Sequence, residues 1–268
     1  MQRNHYARLS SRLSDTQIAQ KRAYTYFTEN VMASGPLIAA ALTGAAASVI
    51  AALAASLPAT PAYRIAFAAA LSAWFVAALA LGAMGVVRPD GLGTPGVGLA
   101  VALPILAGVY LCVRRQPLRA ALLGIPTAIL IGANAPRVLG VFFLILYAQD
   151  RLPGPFAPSA GWGDVAVGLT ALPVAILVAR KLSRWRPLAL AWNTFALADL
   201  VVAVGLGVAS AADFPLSLFT AGPDSGLMSG LPMFLIPGFL VPLWMLVHLA
   251  VFYQLLRPAK ATLHTVPT

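Results

Sequence analysis

The sequence predicts an all-α, polytopic membrane protein: a six-helix bundle with one further helix before it, seven spans in total. Three observations lead there. Of 268 residues, 60% are hydrophobic and only 10% charged, where a soluble globular domain carries roughly 25% charged residues. Mean hydropathy is +0.83, and a single domain of this size lacks the interior to hide so much apolar surface from water. Finally, the apolar residues fall into seven segments near or above the length of about 20 residues that a helix needs to cross ~30 Å of hydrocarbon.

Residues 1–30 form a polar basic tail holding Arg3, Arg8, Arg12, Lys21 and Arg22 beside Asp15 and Glu29. The first apolar segment, 31–57, is rich in alanine, which lets helices approach closely but brings no chemistry. The other six segments run over 62–88, 97–113, 118–149, 163–181, 188–210 and 230–256 and form the predicted core, 62–256. A short tail, 257–268, closes the chain.

Basic residues set the expected orientation. Arg64, Arg114, Arg115, Arg119, Arg180, Lys181, Arg184, Arg186, Arg257 and Lys260 fall on one side of the core, against Arg88 and Arg151 on the other. Short loops rich in Lys and Arg stay cytoplasmic, so the first side, with the C-terminus, is expected inside a bacterial inner membrane. The second side collects Asp90, Asp150, Asp164, Asp213 and Asp224. A single crossing by 31–57 would place the basic tail outside, against the rule. That segment is therefore read as a true span, as an interfacial helix, or as a signal sequence ahead of Ser56-Leu-Pro-Ala-Thr-Pro61.

The excess of 18 basic over 8 acidic residues lies between apolar segments, which points to topology and anionic lipid rather than nucleic acid. Cys112 is the only cysteine, so no internal disulfide forms, and His5, His248 and His264 are too scattered for a metal centre. With one membrane His there is no intramolecular bis-His haem. The last span holds no Lys for a retinal Schiff base, and no G-x-S-x-G, H-E-x-x-H or Walker motif is present. No metal or cofactor is expected.

The candidate site comes from polar residues that hydrocarbon penalises. In 118–149, Ala120, Gly124, Ala128, Gly132, Pro136 and Gly140 recur every four residues and predict a smooth helix face; at 32 residues the segment is long for one span, so either Pro126 and Pro136 kink it or its first third lies along the cytoplasmic interface. Arg137 lies 13 residues, ~20 Å of helix, from the marker Asp150, and Asp199 lies 14 residues, ~21 Å, from Asp213. Equal depth and opposite charge predict a buried pair. Asn193, His248 and Asn134 fall in the inner half and complete an expected polar cavity opening inward. In the last span, Pro237 and Pro242 leave the carbonyls of Met233 and Gly238 without helical donors, which either kinks the helix or opens backbone to an ion. Trp162, Trp185, Trp244 and Tyr253 read as interface anchors or packing.

Gly161-Trp-Gly-Asp164 resembles the G-x-G-D signature of intramembrane aspartyl proteases, in which two aspartates share a proton. The preceding acid, in Tyr147-Ala-Gln-Asp150, is spaced differently from that family's Tyr-Asp pair. Asp164 also begins the predicted helix 163–181, where capping accounts for it. Asp199 is expected to lie too deep to meet it.

The set Arg137-Val-Leu-Gly140, Leu152-Pro153, Phe156-Ala157, Ala160-Gly-Trp-Gly-Asp164, Gly168-Leu, Asn193, Asp199-Leu and Pro242-Leu-x-x-Leu-x-His248 resembles an uncharacterised family of bacterial multi-pass integral membrane proteins. The resemblance covers about 62–256. It implies a six-helix core, with residues 1–57 as an addition, and implies no chemistry.

The expected function is binding or transport of a small solute or proton through the Arg137, Asp199 and His248 cavity. A membrane-embedded hydrolase using Asp164 is the alternative. A third reading is a non-catalytic partner or sensor subunit, docking on another membrane protein or on its own copies. Transport requires a continuous polar cavity, hydrolysis a second carboxylate in reach of Asp164, and a partner subunit neither.

Overall fold

The computed structural model describes residues 35–219 and 221–257. The polar tail 1–30 and the C-terminal residues from 258 onward lie outside them. The chain divides into units 1–41 and 42–268; of the first, only the opening residues of the first helix are described. Among the described residues the secondary structure is entirely helical. Seven helices are long and apolar enough to cross a membrane.

The first, α1 (Gly35–Ala55), buries Leu42, Ala45, Ala46, Val49, Ile50, Leu53 and Ala54, the i, i+3, i+4 stripe of a helix with one packed face. Helix α2 (Pro61–Ala83) opens with Thr60 as N-cap and Pro61 in the first turn, a combination that satisfies an orphan donor and pre-sets φ. It ends at Met84, and Gly85 takes φ +69°, the left-handed residue that lets the chain leave a helix. Helix α3 (Gly93–Arg114) begins at Gly93, also at positive φ (+58°). There the Asp213 carboxylate accepts from the Thr94 amide at 2.7 Å and its hydroxyl at 2.6 Å. This residue from a distant loop thus caps α3. Burial opposes ionisation of Asp213, but the Thr94 bonds outweigh it and hold the carboxyl below its usual range.

The predicted span 118–149 is not one helix. It divides into α4 (Gln116–Leu122), α5 (Thr127–Gly132), a 3-10 segment (Ala135–Gly140) and α6 (Val141–Ala148). Pro126 and Pro136 each lack the amide that would continue an α-helix. Gln254 of the last helix fills the first break: its Nε2 donates to the Leu123 and Ile125 carbonyls at 2.9 and 2.8 Å, and its Oε1 accepts from the Thr127 hydroxyl at 2.6 Å. Hydrocarbon tolerates irregular backbone only where protein encloses it, and Leu130, Ile131, Asn134, Arg137 and Gly140 are all buried. With the helix broken, the four-residue recurrence from Ala120 to Gly140 no longer lies along a single face.

Helix α7 (Phe156–Ala179) starts seven residues before the predicted position, and α8 (Trp185–Ala209) follows. The last span enters through a fully buried π-helical turn, Ile236–Leu240, into α9 (Val241–Leu256). Helix α7 is central, packing on the 3-10 segment, α8, α5 and α6, while α9 packs on α3, α5 and α8. Basic residues gather at one end of the bundle. There Arg186 donates to the Leu255 carbonyl at 2.7 Å and to that of Arg257, placing a cation on the last carbonyls of α9, where the helix dipole favours it.

Candidate functional site

Lipid is as apolar as leucine, so burial of apolar side chains does little to drive membrane helices together; close packing and polar contacts do. Both are concentrated where α7 crosses the 3-10 segment. A Cβ on Gly168 would collide with the backbone of Arg137 and Val138, and one on Gly140 with Cβ of Asp164. A Cβ on Gly161 would stand 2.6 Å from Leu144 Cδ2 and 3.1 Å from the Gly140 carbonyl. The two backbones are thus in contact along a glycine seam, which brings Arg137 directly over α7.

Arg137 is 1% exposed, and every nitrogen of its guanidinium is engaged. Nε donates to Asp164 Oδ1 at 2.6 Å and Nη2 to Asp199 Oδ2 at 2.5 Å. Nη1 donates to the Ala196 carbonyl at 3.0 Å and meets His248 Nε2 at 3.3 Å. The Trp244 ring lies 5.9 Å from Cζ, within cation–π range, and the Trp244 indole donates to the Ala133 carbonyl at 3.0 Å.

His248 can accept from the guanidinium only through a bare Nε2, so its proton is on Nδ1, which then donates to Asn193 Oδ1 at 2.7 Å. Asn193 returns a bond from Nδ2 to the His248 carbonyl at 3.1 Å. The imidazole is accordingly neutral. With both aspartates ionised, the cluster carries two negative charges against one positive.

Five of the residues singled out in the sequence therefore meet: Arg137, Asp164, Asp199, His248 and Asn193. Asn134 does not join them; its amide turns back to the Leu130 and Ile131 carbonyls at 3.1 and 3.3 Å, and its buried Oδ1 has no partner among the described residues. The expected cavity opening inward is not formed by these side chains. Asn134, Asn193 and His248 are each 0% exposed, the last two bonded to each other.

Asp164 departs most from expectation. It is not an N-cap: α7 begins at Phe156, so Asp164 lies eight residues further, ~12 Å along the axis. That depth brings it level with Asp199, and both carboxylates flank one guanidinium. The aspartyl-dyad arrangement differs, because there a shared proton and a water occupy the space between the acids, whereas here a permanent cation holds them.

The rest of the Gly161-Trp-Gly-Asp164 motif has a packing role. A Cβ on Gly163 would occupy the position of the Asp199 carboxylate, so the glycine admits the acid. Trp162 is exposed, as an anchor would be, but Trp244 is only 3% exposed and belongs to the site. Its spacing of four from His248, one helical turn, was the signal for it.

The freed carbonyls of the last span are both occupied. Trp74 Nε1 donates to Gly238 O at 3.1 Å, and Ile236 N donates to Met233 O at 3.0 Å. Trp74 and Phe75 also set their ring edges on Phe239, with centroids 4.8 and 5.3 Å apart.

One cavity reaches the cluster. Of about 90 Å³, it runs between α3, α6, α7, α8 and the π-helical turn, with Thr94, Asp213, Ser225 and Ser229 among its lining and Asp164 as its contact with the cluster. It leads from the end of the bundle that bears Asp213, and most of its wall is apolar.

Seven helices long and apolar enough to cross a membrane among the described residues, with an ionic cluster buried between the 3-10 segment, α7, α8 and α9, are the features of a multi-pass membrane protein. The chain belongs to the family described as Domain of unknown function (DUF8737), whose model matches residues 94–256, five of the seven spans. No curated protein and no solved structure matches the chain.

Proposed function

We propose that this protein binds or transports a small solute or proton through the Arg137 cluster, in an inner membrane of bacterial type. The observation that supports the reading is a buried site with more acids than bases that opens on a cavity. Two carboxylates share one guanidinium, and one of them, Asp164, lines a cavity. A surplus negative charge is expensive in hydrocarbon, so the cluster gains by taking up one positive charge, of which a proton is the smallest. Arg137, Asp199, His248 and Asn193 hold the acceptor in place, and the cavity supplies the path from the end bearing Asp213.

Proteoliposomes with an entrapped pH-sensitive dye and an imposed pH gradient, charge-compensated by a potassium ionophore, test this. Vesicles with the wild-type protein are expected to lose the gradient faster than empty ones, and Asp164→Asn to return the rate to that of empty vesicles. Size-exclusion chromatography and far-UV circular dichroism verify that the variant is folded. Equal rates for wild-type and empty vesicles would exclude proton transport.

A further inference from the structure

We infer that the cavity ending at Asp164 is a binding site for a small organic ammonium ion with a compact apolar body. The inference deepens the functional reading above and rests on it, since both require that the surplus charge of the cluster be met through this cavity.

The chemistry follows from the two ends and the wall. Asp164 is 8% exposed. Its Oδ1 is taken by Arg137, and Oδ2 has no hydrogen-bond partner among the described residues. The site therefore offers one nearly buried carboxylate oxygen as an acceptor, backed, with both aspartates ionised, by a net negative cluster. A bare metal cation would need about six oxygens around it, more than Asp164 offers in a wall that is mostly apolar, with Val101, Phe143, Phe156, Leu200, Val204 and Val241 in it. An alkylammonium head satisfies the carboxylate with a charge-assisted bond, and its hydrocarbon body matches the wall. The aromatic pair Phe143 and Phe156, with centroids 5.4 Å apart, adds a surface to which a cation is attracted. The volume of about 90 Å³ suits a compact body such as isobutyl rather than an acyl chain. An anion is disfavoured, because it would add to the existing surplus.

Isobutylammonium, isobutanol and isobutyrate share one body and differ in the head. Melting of the full-length protein in detergent, followed against the concentration of each, is expected to show stabilisation by the ammonium at about tenfold lower concentration than by the alcohol, and none by the carboxylate. Val204→Phe, which fills the cavity without touching the ionic cluster, should abolish the response to all three. Asp164→Asn should equalise ammonium and alcohol. Equal potency of ammonium and alcohol on the wild-type protein, or an ammonium response that survives Val204→Phe, would overturn the site. Ammonium binding without proton flux would leave this site standing and remove proton transport. Flux without ammonium preference would do the reverse.

Discussion

At the residue scale, Arg137 decides the most. Removing one partner of a buried ion pair strands the other, at a cost of about 3–5 kcal/mol. Here the guanidinium serves two carboxylates, so Arg137→Leu strands both. The double variant Arg137→Leu/Asp199→Leu still strands Asp164 and should remain poorly folded. Adding Asp164→Leu removes the last uncompensated charge, and the triple variant is expected to melt above either the single or the double one in detergent. A purely pairwise cluster would instead recover fully in the double variant, so thermal melting of the series separates a triad from a pair. Part of this was legible in the sequence. Arg137 and Asp199 lie at matched distances from their loops, and hydrocarbon forces such charges together; in the structure they meet at 2.5 Å. Asp164 was hidden by its neighbours, since Pro155 and Pro158 disguised the true start of α7. Both prolines are tolerated in the first helical turn, where no amide is needed, yet they read as loop.

At the element scale, the fold depends on how closely α7 approaches the 3-10 segment. The spans themselves were legible because hydrophobic length alone identifies them. Their interruptions were legible only as prolines, since two of the groups that fill the breaks come from far along the chain: Gln254 at the α4–α5 junction and Trp74 at the Gly238 carbonyl. The predicted small-residue face contributes one glycine, Gly140, to the seam. A four-residue recurrence marks a packing face only on a continuous helix, and the residues from Ala120 to Gly140 do not form one. The glycines that admit a neighbouring backbone are Gly140, the last of that recurrence, and Gly161 and Gly168 on α7. Gly168 is the sharpest test, because the obstacle to a Cβ there is backbone of Arg137 and Val138, which cannot rotate away as a side chain can. Gly168→Ala should cost at least 1–3 kcal/mol, typical of overpacking in a tight interior. It should also weaken the Arg137 contacts, because the segment carrying Arg137 must move. Gly132→Ala is the control: its Cβ would find Ala175 at 3.7 Å and Leu172 at 3.8 Å, ordinary contact distances, and its melting temperature should match the wild type. Equal melting of the two variants would contradict the seam.

At the scale of the whole molecule, the two ends of the bundle differ in charge, and this polarity connects topology with function. Arg64 donates to the Leu57 carbonyl at 2.8 Å and Arg186 to that of Leu255, so basic residues from distant parts of the chain are tied to backbone at one end. At the other end Asp213 caps α3, and the cavity leading to Asp164 begins beside it. The Lys and Arg bias of short loops is read during insertion and is expected to retain the basic end in the cytoplasm. In that orientation the cavity would face outward, and a cation drawn to the cluster would enter from outside. A reporter fused after Lys260 should therefore read as cytoplasmic and one inserted within 214–229 as external. A third reporter, ahead of Met1, bears on the basic tail, whose charges oppose a single outward crossing by α1. The retained core bias of ten basic residues against two is expected to prevail, leaving this reporter external. Reversed readings at Lys260 and 214–229 would turn the cavity toward the cytoplasm and make the site one that loads from inside the cell.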